Sequence, residues 1–375
     1  MLPFCLVVGG LHPDTGLAAF LTSGGTLTPA GSFPAAGQSA SYAAFSPDGR
    51  RAYIANHGIP SAGVTALALT WSPGAQGCLA SAAALAPLVP SPDPCHVAVH
   101  PSGQWLFSAS YSEGSVSVFP IAGDGALGQP LTTALGSHAH MCAFAQGGEE
   151  VLVPLLGSDA LAVLAFNAST GQLALKQMLP LPPGSGPRHV ALHPTLPGTA
   201  YLVLELSSSV AVLQRSSSSS SSNGSAWQVL GAPVSTLRPG LPLPTLQAAA
   251  ALAVSPDSRH LYVSNRAAPP GAGDNSIACL ALSAEGGVAG GAPASWATGG
   301  PGLGQALDFP RDCALSQDGL TLAAASQHSG QVTLFARDVG TGQLSYLASA
   351  PSSPLAAPSF VHWAGGGNAS AALAV

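Results

Sequence analysis

Residues 41–57 read SYAAFSPDGRRAYIANH: an apolar run, a Ser-Pro-Asp-Gly turn, a second apolar run and a closing polar pair. Proline presets the first turn dihedral and glycine accepts positive φ, so the stretch predicts two strands joined by a tight turn. The phrase returns as CHVAVHPSGQWLFSASY at 95–111, HMCAFAQGGEEVLVPLL at 140–156, RHVALHPTLPGTAYLVLE at 188–205, AALAVSPDSRHLYVSNR at 250–266 and RDCALSQDGLTLAAASQ at 311–327. Anchored on the turn-proline position, the copies stand at 47, 101, 146, 194, 256 and 317, an average step of 54. Strand pairs recurring at this period, each with room for two further strands, predict an all-β, seven-bladed β-propeller.

The seventh blade is split between the ends. SFVHWAGGG at 359–367 repeats the first strand and turn, while LPFCLVVGG at 2–10 and GLAAFLT at 16–22 supply strands that lack an inner strand of their own. Pairing the C-terminal strand with the N-terminal ones would close the ring and leave no long sheet edge open. Third strands are expected at GVTALALT, GSVSVFPI, DALAVLAFN, SSVAVLQR, NSIACLAL and GQVTLFAR. With 45 Gly and 34 Pro and no helical periodicity, long helices are not expected. One domain over 1–375 is expected, with the poly-Ser tract 216–222 and the Gly/Pro loop 269–274 as solvated insertions.

Only 7% of residues are charged, the net charge is −6 and Lys176 is the single lysine, so no basic stripe exists for nucleic acid or an anionic membrane. A small-molecule ligand is the expected partner. No apolar run reaches membrane-spanning length, and MLPFCLVVGG has neither a charged start nor a cleavage site. Six cysteines without a CxxC pair read as small buried residues, which points to a reducing cytosol and a cytoplasmic protein. The sequons at Asn167, Asn223 and Asn368 are then idle. A monomer is expected.

The inner turns should share one face of the disc, so the start of each first strand and the end of each second strand meet on the other, beside the channel. Six residues before the anchor stand Ser41, Cys95, His140, Arg188, Ala250, Arg311 and, in the split blade, Ser359. After the second strands stand His57, Tyr111, Leu156, Glu205, Arg266 and Gln327. Copies that agree on apolar positions differ here, which is how a repeat scaffold carries an asymmetric site. Three of nine arginines, Arg188, Arg266 and Arg311, fall on this rim, where guanidinium forks can hold a phosphate or carboxylate. Glu205 ends an apolar run and needs a cationic partner there; a purely structural Arg-Glu tie between blades is the plainer use of it. His138 and His140 form an HxH pair, but no third ligand lies nearby, so no metal is expected. Strand alternation turns His96 and His189 toward neighbouring blades, as packing residues. A nucleophile elbow, a P-loop and a dinucleotide fingerprint are all missing.

These phrases, together with GPRHVALHP at 186–194, LELSSSV at 204–210, LYVSNR at 261–266 and FPRDCALSQDG at 309–319, resemble the lactonase family of seven-bladed propellers. That family includes 6-phosphogluconolactonases and carboxymuconate lactonizing enzymes. The resemblance implies a catalytic His-Arg-Glu-Arg set, which falls on His140, Arg188, Glu205 and Arg266, four positions already on the rim. Leu155-Leu156-Gly157, Ser110-Tyr111 and Asn56-His57 depart from the family pattern. The implied activity is hydrolysis of 6-phosphogluconolactone by activated water without a cofactor. His140 and Glu205 would activate the water, Arg188 and Arg266 would polarise the carbonyl and hold anionic groups, and Arg311, Gln327, Tyr111 and His57 would bind the rest of an anionic lactone. Two rival expectations are carboxymuconate cyclization at the same residues and a propeller without catalysis that acts as a binding or scaffold module.

Overall fold

The computed structural model describes residues 4–11, 15–58, 60, 62–72, 77–216, 226–269, 272–299 and 307–364. Positions 217–222 of the poly-Ser tract, 270–271 of the Gly/Pro loop and the sequons at Asn223 and Asn368 lie outside them. Seven sheets of antiparallel strands follow one another along the chain, matching the seven expected blades. Blade 1 runs Ala40–Phe45, Arg51–Asn56, Gly63–Trp71 and Leu79–Ala84, with the short Val89–Pro90 added beside its third strand. Blade 2 is Pro94–Val99, Trp105–Ser110, Ser115–Pro120 and Leu131–Ala134; blade 3 is Ala143–Ala145, Glu150–Leu155, Ala160–Asn167 and Gln172–Pro180. Blade 4 is Pro187–Leu192, Thr199–Leu204, Ser209–Arg215 and Trp227–Ser235; blade 5 is Leu246–Val254, His260–Ala268, Ser276–Ala281 and Ser295–Ala297. Blade 6 is Pro310–Leu315, Thr321–Ser326, Gln331–Arg337 and Leu344–Pro351. In blade 7, Pro358–Ala364 pairs with Phe4–Gly10, and Thr15–Ser23 and Thr26–Gln38 complete the sheet. The register Cys5↔Ala364 through Gly9↔Phe360 closes the ring as expected.

The inner turns are built alike. In blades 1, 5 and 6 the turn serine donates to the aspartate two residues on, at 2.6 Å for Ser46–Asp48, 2.5 Å for Ser255–Asp257 and 2.6 Å for Ser316–Asp318. The residue after that aspartate takes positive φ, at Gly49 (66°), Ser258 (59°) and Gly319 (68°). Glycine enters this region without the Cβ penalty, which is why the phrase carries it.

Strand alternation then gives each blade two apolar faces, and the core is seven seams between neighbours. In blade 1, Ile54 packs toward blade 7 while Tyr53 and Ala55 pack toward blade 2. Many of the seam residues are Ala or Val, which lets the sheets approach closely, and three fully buried tyrosines add polar ties. Tyr53, Tyr201 and Tyr262 donate to the outer-hairpin carbonyls of Gly125, Gly286 and Gly342 in the next blade, at 3.2, 2.9 and 2.7 Å. Each is a satisfied buried hydroxyl.

One cysteine expectation is corrected. Cys95, Cys142, Cys279 and Cys313 are free and buried, but Cys5 and Cys78 are joined in a disulfide. Cys5 sits in blade 7 and Cys78 just ahead of the outer strand of blade 1, so the bond crosses the seam next to the ring closure. Sequence spacing hid it because the partners are 73 positions apart and meet only once the ring has formed. The bond also removes cysteine usage as a ground for expecting a reducing cytosol. Loop-closure arithmetic for a crosslink of 73 residues gives about 4 kcal/mol of stabilisation. The double variant Cys5→Ala/Cys78→Ala is therefore expected to unfold at clearly lower urea concentration, and added reductant should weaken the native chain but not the variant.

Candidate functional site

The rim expectation depends on the first strands converging, and the pairing register shows how they do so. In six blades the ladder slips by one residue at the rim: Ser41 lies between the Ala40↔Asn56 and Tyr42↔Ala55 pairs, Cys95 between Pro94↔Ser110 and His96↔Ala109, and Arg311 between Pro310↔Ser326 and Asp312↔Ala325. Ser359 is bulged in the same way, and Arg188-His189 and Ala250-Ala251 each oppose a single residue of the second strand. A β-bulge places two consecutive side chains against one partner residue and re-aims them. As a result, Ser41 with Tyr42, Arg188 with His189, and Arg311 with Asp312 line one pocket, joined by His57, Cys95, His140 and Ser359.

This corrects the reading of His189, which strict alternation had turned toward a neighbouring blade. It lines the cavity instead, and its Nε2 lies 3.1 Å from the Arg188 guanidinium. His96 does keep the packing role: its Nδ1 accepts from the Cys142 amide at 3.5 Å and its ring stacks on Tyr42 at 4.2 Å. Tyr42 and Asp312 were missed altogether. The available signal was the consecutive polar pairs that open the first strands, such as Arg188-His189 and Arg311-Asp312, which no alternating strand would carry.

Glu205 joins two arginines, with Oε2 2.9 Å from Arg188 Nε and Oε1 2.8 Å from Arg266 Nη2. The second pair does tie blade 4 to blade 5. Arg188 also donates to the Ala250 carbonyl at 2.9 Å, and Arg266 lies 4.9 Å over the Phe309 ring. Both guanidinium groups are buried, which fixes them as a rigid fork pair. Burial lowers Arg266 to about 10 although Glu205 opposes it. Arg311 is different: among the described residues its side chain has no hydrogen-bond or ion-pair partner. Burial first, then the charges of Arg266 and Arg188, lowers it to about 9. A cation so placed favours an incoming anion.

His140 is buried, and its Nδ1 has no hydrogen-bond partner. Burial and the Arg188 charge hold its pKa well below the ordinary histidine value, and His189 is held down by the same two causes, so both rings are neutral. Tyr111 lies edge-on to His140 at 5.8 Å and stacks on His138 at 4.2 Å; burial and Glu205 raise its phenol. His138 has φ of 58°, and the HxH pair stands before the strand. Among the described residues no group of three metal-ligating side chains is brought together. Gln327, Tyr111, Glu205 and Arg266 are not among the residues that line the cavity; the main-chain amide of Gln327 donates to Phe309 O at 3.1 Å and its Oε1 is buried without a partner among the described residues. His57 lines the cavity and lies 2.9 Å, Nδ1 to Oδ1, from Asp93. Asp93 stays below the usual carboxylate value despite burial, because Ser112, the Gly58 amide and His57 favour its ionised form.

Comparison with known proteins follows this geometry. A family model described as lactonase, 7-bladed beta-propeller, matches residues 13–363. The chain is 30% identical over 278 residues to a 6-phosphogluconolactonase of Bacillus subtilis (strain 168), covering 71% of this chain and 72% of that protein. It is also 30% identical over 281 residues to a 6-phosphogluconolactonase of Yersinia pestis (strain Pestoides F), covering 72% and 74%. Among solved structures, a protein from Lactobacillus plantarum superposes with a TM-score of 0.79 at 28% identity, covering 96% of this chain and 99% of that one.

Asp312 gives a pH-dependent test of the site's electrostatics. Burial raises its carboxyl from 3.8 to about 6, although the Val361 amide at 3.0 Å and Arg188 favour ionisation. Between those two values the folded state holds a proton that the unfolded chain has lost, so this group's contribution falls as pH rises from about 4 to about 6. Asp312→Asn should lack that step. Urea unfolding at both ends of the window should show the variant gaining on the native chain by on the order of 3 kcal/mol at the higher pH.

Proposed function

Since this chain belongs to the seven-bladed β-propeller lactonase family, we propose that it hydrolyses a sugar-acid δ-lactone, 6-phosphogluconolactone, by an activated water. The proposal takes residues 1–375 as one propeller domain with one site and uses no cofactor. No described helix is long and apolar enough to cross a membrane. The observation that carries the reading is a neutral imidazole, His140, lining the same cavity as Arg311, a guanidinium unpaired among the described residues, beside the Arg188–Glu205–Arg266 cluster.

Each part answers a need of the reaction. A lactone carbonyl requires a nucleophile, charge stabilisation for the oxyanion and a hold on the distant anionic group. The His140 ring is neutral and lines the cavity, so its imidazole can take a proton from water as the hydroxide adds to the carbonyl carbon. Arg188 and Arg266 cannot leave their positions, because Glu205 holds one nitrogen of each. Their positive field falls on the oxyanion and requires no rearrangement as charge develops. This recasts Glu205 from an aid to the base into the anchor of the arginine pair. Arg311 is the group for the phosphate. Tyr111 supports the His140 ring from the edge.

Release of 6-phosphogluconate from freshly prepared lactone, coupled to its dehydrogenase and corrected for spontaneous opening, tests the reading. His140→Ala is expected to lower kcat by about 10²-fold or more. Arg311→Ala should raise KM by at least about tenfold with a smaller change in kcat, since it removes ground-state binding. Unaltered rates in both variants would end the proposal. Ultraviolet loss of the conjugated diene on mixing with carboxymuconate, without lactone turnover, would redirect it to cyclization of a dicarboxylate at the same residues.

A further inference from the structure

His57 stands across the blades from the arginine cluster, at the end of the second strand of blade 1. It is the imidazole of the cavity with a carboxylate at contact: Nδ1 lies 2.9 Å from Asp93 Oδ1. Asp93 comes from the segment leading into blade 2 and is itself held on both oxygens. The Gly58 amide donates to Oδ1 at 2.6 Å, and the Ser112 hydroxyl donates to Oδ2. Carboxylate and imidazole side chains are each 22% exposed, so the pair sits at the mouth of the cavity rather than in its floor. Nδ1 is at ion-pair distance from Asp93 without the alignment of a hydrogen bond, and Nε2 is the other ring nitrogen of this cavity-lining side chain.

The two imidazoles therefore have opposite surroundings. His140 is buried among guanidinium groups, which oppose a second positive charge. His57 has an anion beside it, which supplies a counter-charge for an imidazolium.

From this geometry we infer that His57 is the proton donor to the leaving ring oxygen and that Asp93 is its positioning residue. The inference rests on the lactone-opening reading above. In the step, the tetrahedral intermediate re-forms its carbonyl, the bond from the acyl carbon to the ring oxygen breaks with its electron pair on that oxygen, and the proton on His57 Nε2 passes to it. His57 regains a proton from solvent, and the proton that His140 took from water returns to solvent. One water is consumed and one carboxylic acid and one alcohol are formed.

The test compares two δ-lactones that differ in leaving group. 6-Phosphogluconolactone expels an alkoxide, which needs a proton; dihydrocoumarin expels a phenoxide, whose conjugate acid loses its proton near pH 10 and which leaves without help. His57→Gln is expected to lower kcat on the sugar lactone by about 10²-fold, with KM changed by less than about twofold, and to lower dihydrocoumarin turnover by less than about threefold. Asp93→Asn should give the same pattern at about tenfold, and Asp93→Glu, which restores the carboxylate, should recover part of the loss. A wild-type protein without lactone turnover overturns both this inference and the reading beneath it. An active wild type overturns this inference alone if the variants raise KM at unchanged kcat, lose both lactones equally, or lose neither.

Discussion

The strand Pro358–Ala364 is hydrogen-bonded to Phe4–Gly10, and every other feature of the molecule depends on that pairing. It turns seven sheets with two apolar faces each into a ring in which every face has a neighbour, so no seam is left open. The Cys5–Cys78 bond crosses the adjoining seam and ties blade 7 to blade 1 covalently. Only in a closed ring do rim residues as far apart in sequence as Ser41 and Ser359 come within hydrogen-bond distance; Ser359 Oγ donates to Ser41 O at 3.0 Å. The cavity exists because of that closure.

Within the ring, the bulge that recurs at the mouth of six blades sets what the cavity contains. A regular ladder would offer one side chain per blade; the slipped register offers two, and this is how Arg188 and His189, or Arg311 and Asp312, come to share one space. The price is a crowded set of ionisable groups with little water to screen them. The structure handles it by pairing Glu205 with two arginines, by keeping His140 and His189 neutral, and by holding Asp312 protonated up to about pH 6. Arg311, left without a partner among the described residues, is the charge that an anionic ligand would complete.

Membership of the lactonase family and the geometry of the rim point to one class of chemistry, but they contribute differently. Similarity of about 30% identity to 6-phosphogluconolactonases establishes the scaffold and the kind of bond the family opens. At the mouth of the cavity His57 and Asp93 form a histidine–carboxylate pair.

The repeated apolar run, Ser-Pro-Asp-Gly turn and apolar run determined the fold without help, because period-2 burial and turn dihedrals are local properties written in contiguous residues. The third strands, the split seventh blade and the convergence of His57, His140, Arg188 and Arg311 followed from the same register. What needed the tertiary structure were matters of distance between remote segments: the Cys5–Cys78 bond, the two-sided hold on Glu205 and the pairing of His57 with Asp93. The inward turn of His189 and Asp312 also needed it, since a bulge is decided by how neighbouring strands pack around the channel and not by the strand that carries it. Gln327 shows the converse, a residue at the expected place in the repeat whose side chain is not among those that line the cavity.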